Sequence, residues 1–218
     1  SFAESAAAIS KKSGLKCTVL NREKIESKKM GLLLAVNRGS LIEPRVVKIE
    51  YRGDVENPKV IGVIGKGITF DSGGMNLKPS GSMETMRSDM SGAATVLCVM
   101  KSLAELKVKR NVTAVIPLTE NMLSGNAYRP GDIYRSYKGL TVEIGNTDAE
   151  GRLILADAIA YMEKEVGPEL IVDMATLTGA CVVTFGETVA AYLSTDDKLA
   201  SVIESASSDT GEKLWRLP

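Results

Sequence analysis

The 218-residue sequence contains no histidine, the side chain that most often carries protons in enzymes near neutral pH. A Ser-His-Asp triad and a Cys-His pair are therefore excluded. The three cysteines, Cys17, Cys98 and Cys181, lie far apart and offer neither a disulfide framework nor the paired spacing of a zinc knuckle. We expect Cys98 and Cys181, which lie in apolar segments, to be buried thiols. This cysteine usage fits a reducing, cytoplasmic location.

An excess of charge of one sign is also lacking, because 27 Lys and Arg residues balance 27 Asp and Glu residues. With no basic cluster either, nucleic acid is not an expected partner. No apolar run is long enough to cross a bilayer and no signal peptide is present, so no membrane partner is expected. The chain begins within an amphipathic segment and stops as an apolar one starts, so we expect a piece of a longer protein.

Apolar periodicity alternates between strand and helix along the chain. Strands are predicted at residues 16–20, 46–51, 59–64, 112–118, 133–137, 141–144, 170–174 and 189–193. Helices are predicted at residues 2–11, 21–30 with an extension to 36, 91–106, 151–164 and 196–207. This order predicts an α/β fold in which a mostly parallel, mixed sheet carries helices on both faces. Ligands bind such sheets beyond the carboxyl ends of the strands.

Two short segments gather ionisable side chains among glycines. The first, residues 65–92, holds Lys66, Asp71, Lys78 and Asp89, and the second, residues 146–152, holds Asp148, Glu150 and Arg152. Each piece alone has an ordinary structural reading. Residues 71–74 suit a tight turn, Asp89 suits the N-cap of the helix that follows, and residues 147–150 form a capping box.

Taken together, these residues indicate a catalytic metal site. Asp71 lies beyond the carboxyl end of the predicted buried strand 59–64, and Asp148 and Glu150, two positions apart, share one side if their segment is extended. Four carboxylates in one cleft repel one another unless cations lie among them, and two divalent ions would balance their charge, as in dimetal hydrolases. A Ser-Lys pair, with Ser72 or Ser80 and Lys66 or Lys78, is formally possible but leaves Asp148 and Glu150 unexplained.

The same segments resemble the leucyl (cytosol) aminopeptidase family. The resemblance is carried by GKGITFDSGG, KPSGSMETMRSDMSGAAT and NTDAEGRLILADA, and it extends through NAYRPGDI and DMATLTGA. It implies a zinc-exopeptidase-like fold and a single, partial dimetal peptidase domain over residues 1–218. Residues 1–30 would form a lead-in helix and strand region. Family members carry a further N-terminal domain and further C-terminal segments, and they form hexamers.

The resemblance also implies roles for individual residues. Asp71, Asp148 and Glu150 would bind one metal ion. The other would be bound by Lys66, Asp71, Asp89 and Glu150. Lys78 would polarise the scissile carbonyl and Arg152 would hold a bicarbonate as general base. The pocket for the first side chain would be lined by Met86, Thr176, Leu177 and Gly179. The expected cofactors are two divalent ions, Zn²⁺ or Mn²⁺, and bicarbonate.

A metal-dependent aminopeptidase that releases leucine-like N-terminal residues from peptides is therefore the predicted function. Divalent ions lower the pKa of a bound water, and a bicarbonate held by Arg152 can collect its proton, which arginine itself cannot do. The metal-ligating Lys66 would be neutral, whereas Lys78 would stay protonated. Two alternatives remain open at this point: a DNA-binding member of the family, and a catalytically inactive remnant.

Overall fold

The computed structural model describes all 218 residues, which divide into two compact units, Ser1–Thr176 and Leu177–Pro218. The helices of the first unit are α1 (Phe2–Lys12), α2 (Arg22–Ser27), α3 (Gly31–Asn37), α4 (Ser80–Met83), α5 (Ser91–Glu105) and α6 (Glu150–Glu165). Its strands are β1 (Lys16–Leu20), β2 (Arg45–Arg52), β3 (Ile61–Gly65), β4 (Gly67–Asp71), β5 (Asn111–Asn121), β6 (Ile133–Arg135), β7 (Thr141–Glu143) and β8 (Leu170–Met174).

Strand β5 organises the main sheet, whose order is β1-β2-β5-β3-β8 with β4 also paired to β5. β3 runs parallel to β5 and β8, and β4 runs parallel to β5. β1 and β2 add the antiparallel part. The predicted α/β class with a mostly parallel, mixed sheet is confirmed, and the strands predicted at residues 133–137 and 141–144 pair antiparallel as β6 and β7.

Helices cover both faces of this sheet. Because neighbouring residues of one strand point to opposite sides, a single strand contributes side chains to the core on each face. On β5, Val115 belongs to the core beneath α3 and α6, whereas Ala114 and Ile116 belong to the core beneath α1 and α5. The buried run of β5 is the sequence signature of a strand covered on both sides. The prediction of helices on both faces is confirmed.

Residues 177–218 contain α7 (Ala180–Phe185), β9 (Ala190–Tyr192), α8 (Asp197–Thr210) and β10 (Leu214–Arg216). β9 and β10 pair in parallel. Asp196 caps α8 by accepting hydrogen bonds from the N–H groups of Lys198 and Leu199. The helix and strand predicted in this region are present. The sequence pattern did not indicate α7 or β10, which are short and have few buried residues. That residues 1–218 form a single domain stays a prediction.

Two local expectations were wrong. The predicted helix from residue 21 to 36 is two helices, because Lys29 adopts a positive φ of 60° between them. Cys98 is exposed on α5 and Cys181 is only partly buried. The helix predicted at residues 91–106 is present as α5, which lies on one face of the sheet and turns one side to solvent. None of the helices is both long and apolar enough to cross a membrane.

Candidate metal centre

Lys66 lies between two strands that share one neighbour. β3 pairs with the first half of β5 and β4 with its second half, so Lys66 is the residue at the break. Its backbone is held on both sides: the N–H donates to the Met174 carbonyl, and the carbonyl accepts from the Ala93 N–H, each at 2.9 Å. The break therefore fixes the origin of the Lys66 side chain at the carboxyl end of β3.

Two glycines allow the N-terminus of α5 to approach this break. A Cβ on Gly65 would lie 2.6 Å from the Gly92 carbonyl oxygen, and a Cβ on Gly92 would overlap the Met174 carbonyl oxygen. A side chain at either position would therefore clash with the backbone. The absence of side chains on Gly65 and Gly92 brings α5, β3 and β8 close enough for Asp89, just before α5, to reach Lys66.

The Lys66 ammonium group is buried among oxygen atoms. Its Nζ lies 2.7 Å from Asp89 Oδ1 and 2.9 Å from Glu150 Oε1. It also donates to the Thr176 carbonyl at 2.7 Å, and the Thr176 hydroxyl donates to Asp89 Oδ1. Asp89 was expected to cap α5, but the N-cap of that helix is Met90, which makes no side-chain hydrogen bond. The Asp89 carboxylate faces Lys66 instead.

Asp71 ends β4 and begins the expected tight turn. Its Oδ1 accepts a hydrogen bond of 2.9 Å from the Gly73 N–H, which closes the turn locally. Gly73 and Gly74 both have positive φ, 86° and 64°, a conformation that favours glycine. The loop then returns so that the Lys78 N–H donates to the Ser72 carbonyl at 2.9 Å. The Asp71 carboxylate and the two glycines thus shape the loop that follows β4.

Lys78 joins the two motif segments by ion pairs. Its Nζ lies 3.0 Å from Asp71 Oδ2 and 2.6 Å from Asp148 Oδ1. Burial by itself lowers the pKa of Lys78, but hydrogen bonds to Asp148 and Asp71 outweigh it and raise the pKa above its ordinary value. Lys78 therefore carries a full positive charge at neutral pH.

The second segment is helical, not extended as expected. Asn146 accepts a hydrogen bond of 2.7 Å from the Asp148 N–H, which starts a 3-10 turn over Thr147–Ala149 that leads directly into α6. Asp148 and Glu150 consequently diverge, and Asp148 reaches Lys78 whereas Glu150 reaches Lys66. The capping box expected at residues 147–150 does not form either.

Three carboxylates converge at the centre of the site. Oxygen atoms of Asp71, Asp89 and Glu150 lie within 4.8 Å of one another, and all three side chains are at least 95% buried. Burial raises the pKa of Glu150, and the charges of Asp71 and Asp89 add to the rise, although Lys66 opposes it. Burial likewise raises the pKa of Asp89 against the influence of Lys66. The site is therefore short of positive charge.

These residues fit divalent ions. Four carboxylates face only two lysine side chains, so at least two negative charges are left over even when both lysines are protonated, which is costly in a mostly buried cluster without a counter-charge. Carboxylate oxygens with one amine nitrogen form a donor set that suits Mn²⁺ and is also found around Zn²⁺. The residues that would hold such ions are Lys66, Asp71, Asp89, Asp148 and Glu150.

Two buried residues of the site were missed from the sequence. Asn121 ends β5 and donates to Asp71 Oδ1 at 2.8 Å and to the Thr147 carbonyl at 3.0 Å. Tyr128 donates to the same carbonyl at 2.7 Å. One signal pointed to Asn121, a polar residue near the end of an apolar strand where ligands bind. Tyr128 lies within the motif NAYRPGDI, which carries the family resemblance but gives no sign of this hydrogen bond.

The Ser-Lys alternative finds no support in the geometry. The Ser72 hydroxyl is buried and donates to the Asn121 carbonyl at 2.8 Å. Ser80 is exposed at the start of α4. Both lysines are paired with carboxylates, and neither makes a hydrogen bond to a serine hydroxyl.

The remaining residues predicted for the site are more exposed than the three central carboxylates. Arg152 is exposed in the first turn of α6 and makes no ion pair, so its guanidinium is free to bind an anion. Met86 is half-buried in the 3-10 turn Met86–Ser88, three residues before Asp89. Leu177 and Gly179 are exposed residues of the second unit, and Gly179 precedes α7.

A comparison with known families gives this geometry a context. The model described as "Cytosol aminopeptidase family, catalytic domain" matches residues 1–218, the whole chain. The chain belongs to the cytosol aminopeptidase family. The resemblance seen in the motif segments is thereby confirmed.

Curated members of the cytosol aminopeptidase family are similar in sequence to this chain along nearly its entire length. A "Probable cytosol aminopeptidase" of Chlorobium limicola is 51% identical over 98% of this chain and 43% of its own length. One of Chlamydia trachomatis is 52% identical over 92% of this chain and 40% of its own. The chain thus spans less than half the length of these relatives.

A solved structure shows the same fold. The "Bottromycin maturation enzyme BotP" is 39% identical and superimposes with a TM-score of 0.92, covering 100% of this chain and 46% of the other. At this identity and score the two proteins share the same fold. The fold class read from the sequence is confirmed by this neighbour as well.

Proposed function

We propose that this chain carries the active site of a metal-dependent aminopeptidase, which removes residues from the free N-terminus of peptides. The observation that supports this most directly is the convergence of Asp71, Asp89 and Glu150 within 4.8 Å in a buried cluster. Membership of the cytosol aminopeptidase family supplies the reaction class. The names of the relatives, each a probable cytosol aminopeptidase, agree with it.

The five predicted ligands divide between two ions. Asp71, Asp148 and Glu150 would hold one, and Lys66, Asp71, Asp89 and Glu150 the other. Bound divalent ions would polarise the scissile carbonyl and lower the pKa of a water molecule. Zn²⁺ and Mn²⁺ are the proposed ions.

The charged side chains around the cluster would perform the remaining steps. Lys78, protonated and only 14% exposed, can stabilise negative charge that develops on the carbonyl oxygen of the substrate. Arg152 can hold bicarbonate in a two-pronged hydrogen-bonded contact, and the bicarbonate would accept a proton as general base. Asp89 would help to hold the free α-amino group of the peptide, which internal peptide bonds lack.

Selectivity for leucine-like residues is part of the proposal. It rests on Met86, half-buried three residues before Asp89 in the sequence, and on Thr176, whose hydroxyl donates to Asp89 Oδ1. We add Leu177 and Gly179 from the motif resemblance. A hexameric assembly and a cytoplasmic location are proposed on the same grounds, together with the names of the relatives.

The decisive experiment compares three variants for metal content and for hydrolysis of a leucyl anilide. Glu150→Gln should lose bound metal and nearly all turnover, because it removes a carboxylate shared by both ions. Arg152→Ala should keep its metal but lose rate by about 10²-fold, the scale of a general base. Glu163→Gln, on the exposed side of the same helix, is the matched control and should behave as wild type.

Full leucyl-anilide hydrolysis by the Glu150→Gln variant would contradict the assignment. Metal binding without turnover in the wild-type protein would favour the inactive remnant instead. The DNA-binding alternative predicts retention in a filter-binding assay that falls steeply with salt. The family match and the balanced charge do not favour it.

A further inference from the structure

Asn121 connects the two motif segments. Its side chain is fully buried at the carboxyl end of β5. One Nδ2 hydrogen bond goes to Asp71 Oδ1 in the first segment, and another goes to the Thr147 carbonyl in the second. The Asn121 backbone carbonyl also accepts from both the N–H and the hydroxyl of Ser72, next to Asp71. A single residue therefore holds the end of β4 against the turn that leads into α6.

The Thr147 carbonyl is held from two directions. Asn121 donates to it at 3.0 Å and the buried Tyr128 hydroxyl donates to it at 2.7 Å. Thr147 is fully buried and directly precedes Asp148 in the 3-10 turn that ends at Glu150. Fixing this carbonyl fixes the turn, and the turn sets the positions of both carboxylates.

The contacts of Asn121 require a donor. Both Nδ2 partners, a carboxylate oxygen and a backbone carbonyl, can only accept, so the amide orientation is determined by its surroundings. The Asn121 Oδ1 atom has no hydrogen-bond partner. An aspartate of the same shape could not donate, and it would place a carboxylate oxygen 2.8 Å from Asp71 Oδ1. The chemistry of the amide, and not only its volume, is therefore needed.

We propose that Asn121 is a positioning residue for metal binding: its amide joins the two motif segments and, with the Tyr128 hydroxyl, sets the arrangement of Asp71, Asp148 and Glu150. This inference rests on the proposed function, because it assumes that these carboxylates bind divalent ions. Residues that hydrogen-bond to metal-ligating carboxylates orient those ligands, and their loss typically weakens metal binding by about 10–100-fold.

The experiment measures the Kd of Mn²⁺ by titration calorimetry and the visible spectrum of the Co²⁺-substituted protein. Asn121→Asp and Asn121→Ser should each weaken Mn²⁺ binding by about tenfold or more and alter the Co²⁺ spectrum. Tyr128→Phe, which removes one of the two bonds to the Thr147 carbonyl, should shift both readouts in the same direction by less. Both readouts report metal binding directly and do not depend on hydrolysis of the leucyl anilide.

Asn111 provides a matched control. It is a buried asparagine at the opposite end of β5, and its amide also donates to backbone carbonyls, those of Asp54 and Asn57. Asn111→Asp should cost stability in a similar way but leave the Mn²⁺ Kd and the Co²⁺ spectrum unchanged. A loss of affinity in Asn111→Asp equal to that in Asn121→Asp would show a general effect of destabilising β5 and would overturn the proposal.

A folded Asn121 variant with the wild-type Kd and spectrum would also overturn it. If neither Asn121 variant unfolds cooperatively, Tyr128→Phe decides, and an unchanged Kd in that variant counts against the proposal. Failure of the wild-type protein to bind Mn²⁺ is a different result, because it removes the proposed metal-dependent function itself.

Discussion

At the scale of single residues, Asp157 shows how a buried charge can organise the fold outside the site. Its fully buried carboxylate accepts hydrogen bonds from the N–H groups of Leu32 and Leu33, at 2.9 and 3.0 Å, and from the Tyr137 N–H at 2.7 Å. Met30, the N-cap of α3, makes no side-chain hydrogen bond. Asp157 of α6 therefore caps α3 from a different helix, where negative charge is favoured.

Replacing this carboxylate should cost stability. In Asp157→Asn the amide group must face at least one backbone N–H, so a buried donor is left without an acceptor. We expect the free energy of unfolding to fall by about 1.5–3 kcal/mol in a urea titration. Glu163→Gln on the exposed side of α6 is the control and should change it by less than about 1 kcal/mol. A wild-type value for Asp157→Asn would show that the three hydrogen bonds contribute nothing net.

Single residues also mark the limit of sequence reasoning. Lys66, Asp71 and Glu150 stand out because ionisable side chains among glycines have few structural uses at the ends of predicted strands. Asn121 and Tyr128 were missed, although Asn121 follows an apolar strand, because a neutral side chain gives no sign of its hydrogen-bond partner until distant segments meet. Asp157 could not be distinguished from an ordinary helix surface residue, because the backbone N–H groups that it accepts from lie far away in the sequence.

At the scale of secondary-structure elements, the antiparallel pair β1–β2 carries a cluster of charges around one acid. Glu50 on β2 lies directly opposite Lys16 on β1, and its carboxylate lies 3.2 Å from the Nζ atoms of Lys16 and Lys48. Arg52 is a third basic neighbour at 3.5 Å. Burial alone raises the pKa of Glu50, but the two lysines outweigh it and lower the pKa below its usual 4.5.

The lowered pKa of Glu50 makes the stability of the fold depend on pH in a defined direction. Because folding lowers the pKa of Glu50, its contribution to stability is fully present above about pH 4.5 and is lost as the pH falls below that value. Glu50→Gln should therefore be less stable than wild type at pH 7, and the two should converge toward pH 3 in urea titrations. Glu56→Gln, at an exposed site without an ion pair, should show no such convergence. Parallel curves for wild type and Glu50→Gln would refute the assignment.

Helices and strands were predicted well where the apolar periodicity was strong, and less well where local backbone conformation or side-chain contacts set their boundaries. β5 and α6 were both predicted, because a long apolar pattern fits only one type of secondary structure. The separation of α2 from α3 was missed, since it depends on the backbone conformation of Lys29. Residues 147–149 were expected to be extended, because two acids at alternate positions resemble one face of a strand. They form a helical turn instead, because the Asn146 side chain accepts a hydrogen bond from the Asp148 N–H and so starts the turn.

At the scale of the whole molecule, the proposed ligands come from four places in the chain: the β3–β4 break, the end of β4, the segment before α5, and the start of α6. A bound ion would link these elements and should stabilise the fold. With Mn²⁺ at about 100 times its Kd, the free energy of unfolding should rise by about 2.7 kcal/mol. Chelation with EDTA should reverse the gain, and the Glu150→Gln variant should not respond. Identical unfolding curves with and without Mn²⁺ in the wild-type protein would contradict this prediction.

The placement of these groups also has a consequence for synthesis. Asp71 and Asp89 leave the ribosome well before Asp148 and Glu150 at the start of α6. Until that helix has emerged, Lys66 and Lys78 each lack one of their two carboxylate partners, and the strand end at Asp71 lacks the turn that Asn121 holds against it. The nascent chain can therefore complete this centre only late, after α6 has docked on the sheet, so any ion captured earlier would meet an incomplete and weaker set of ligands.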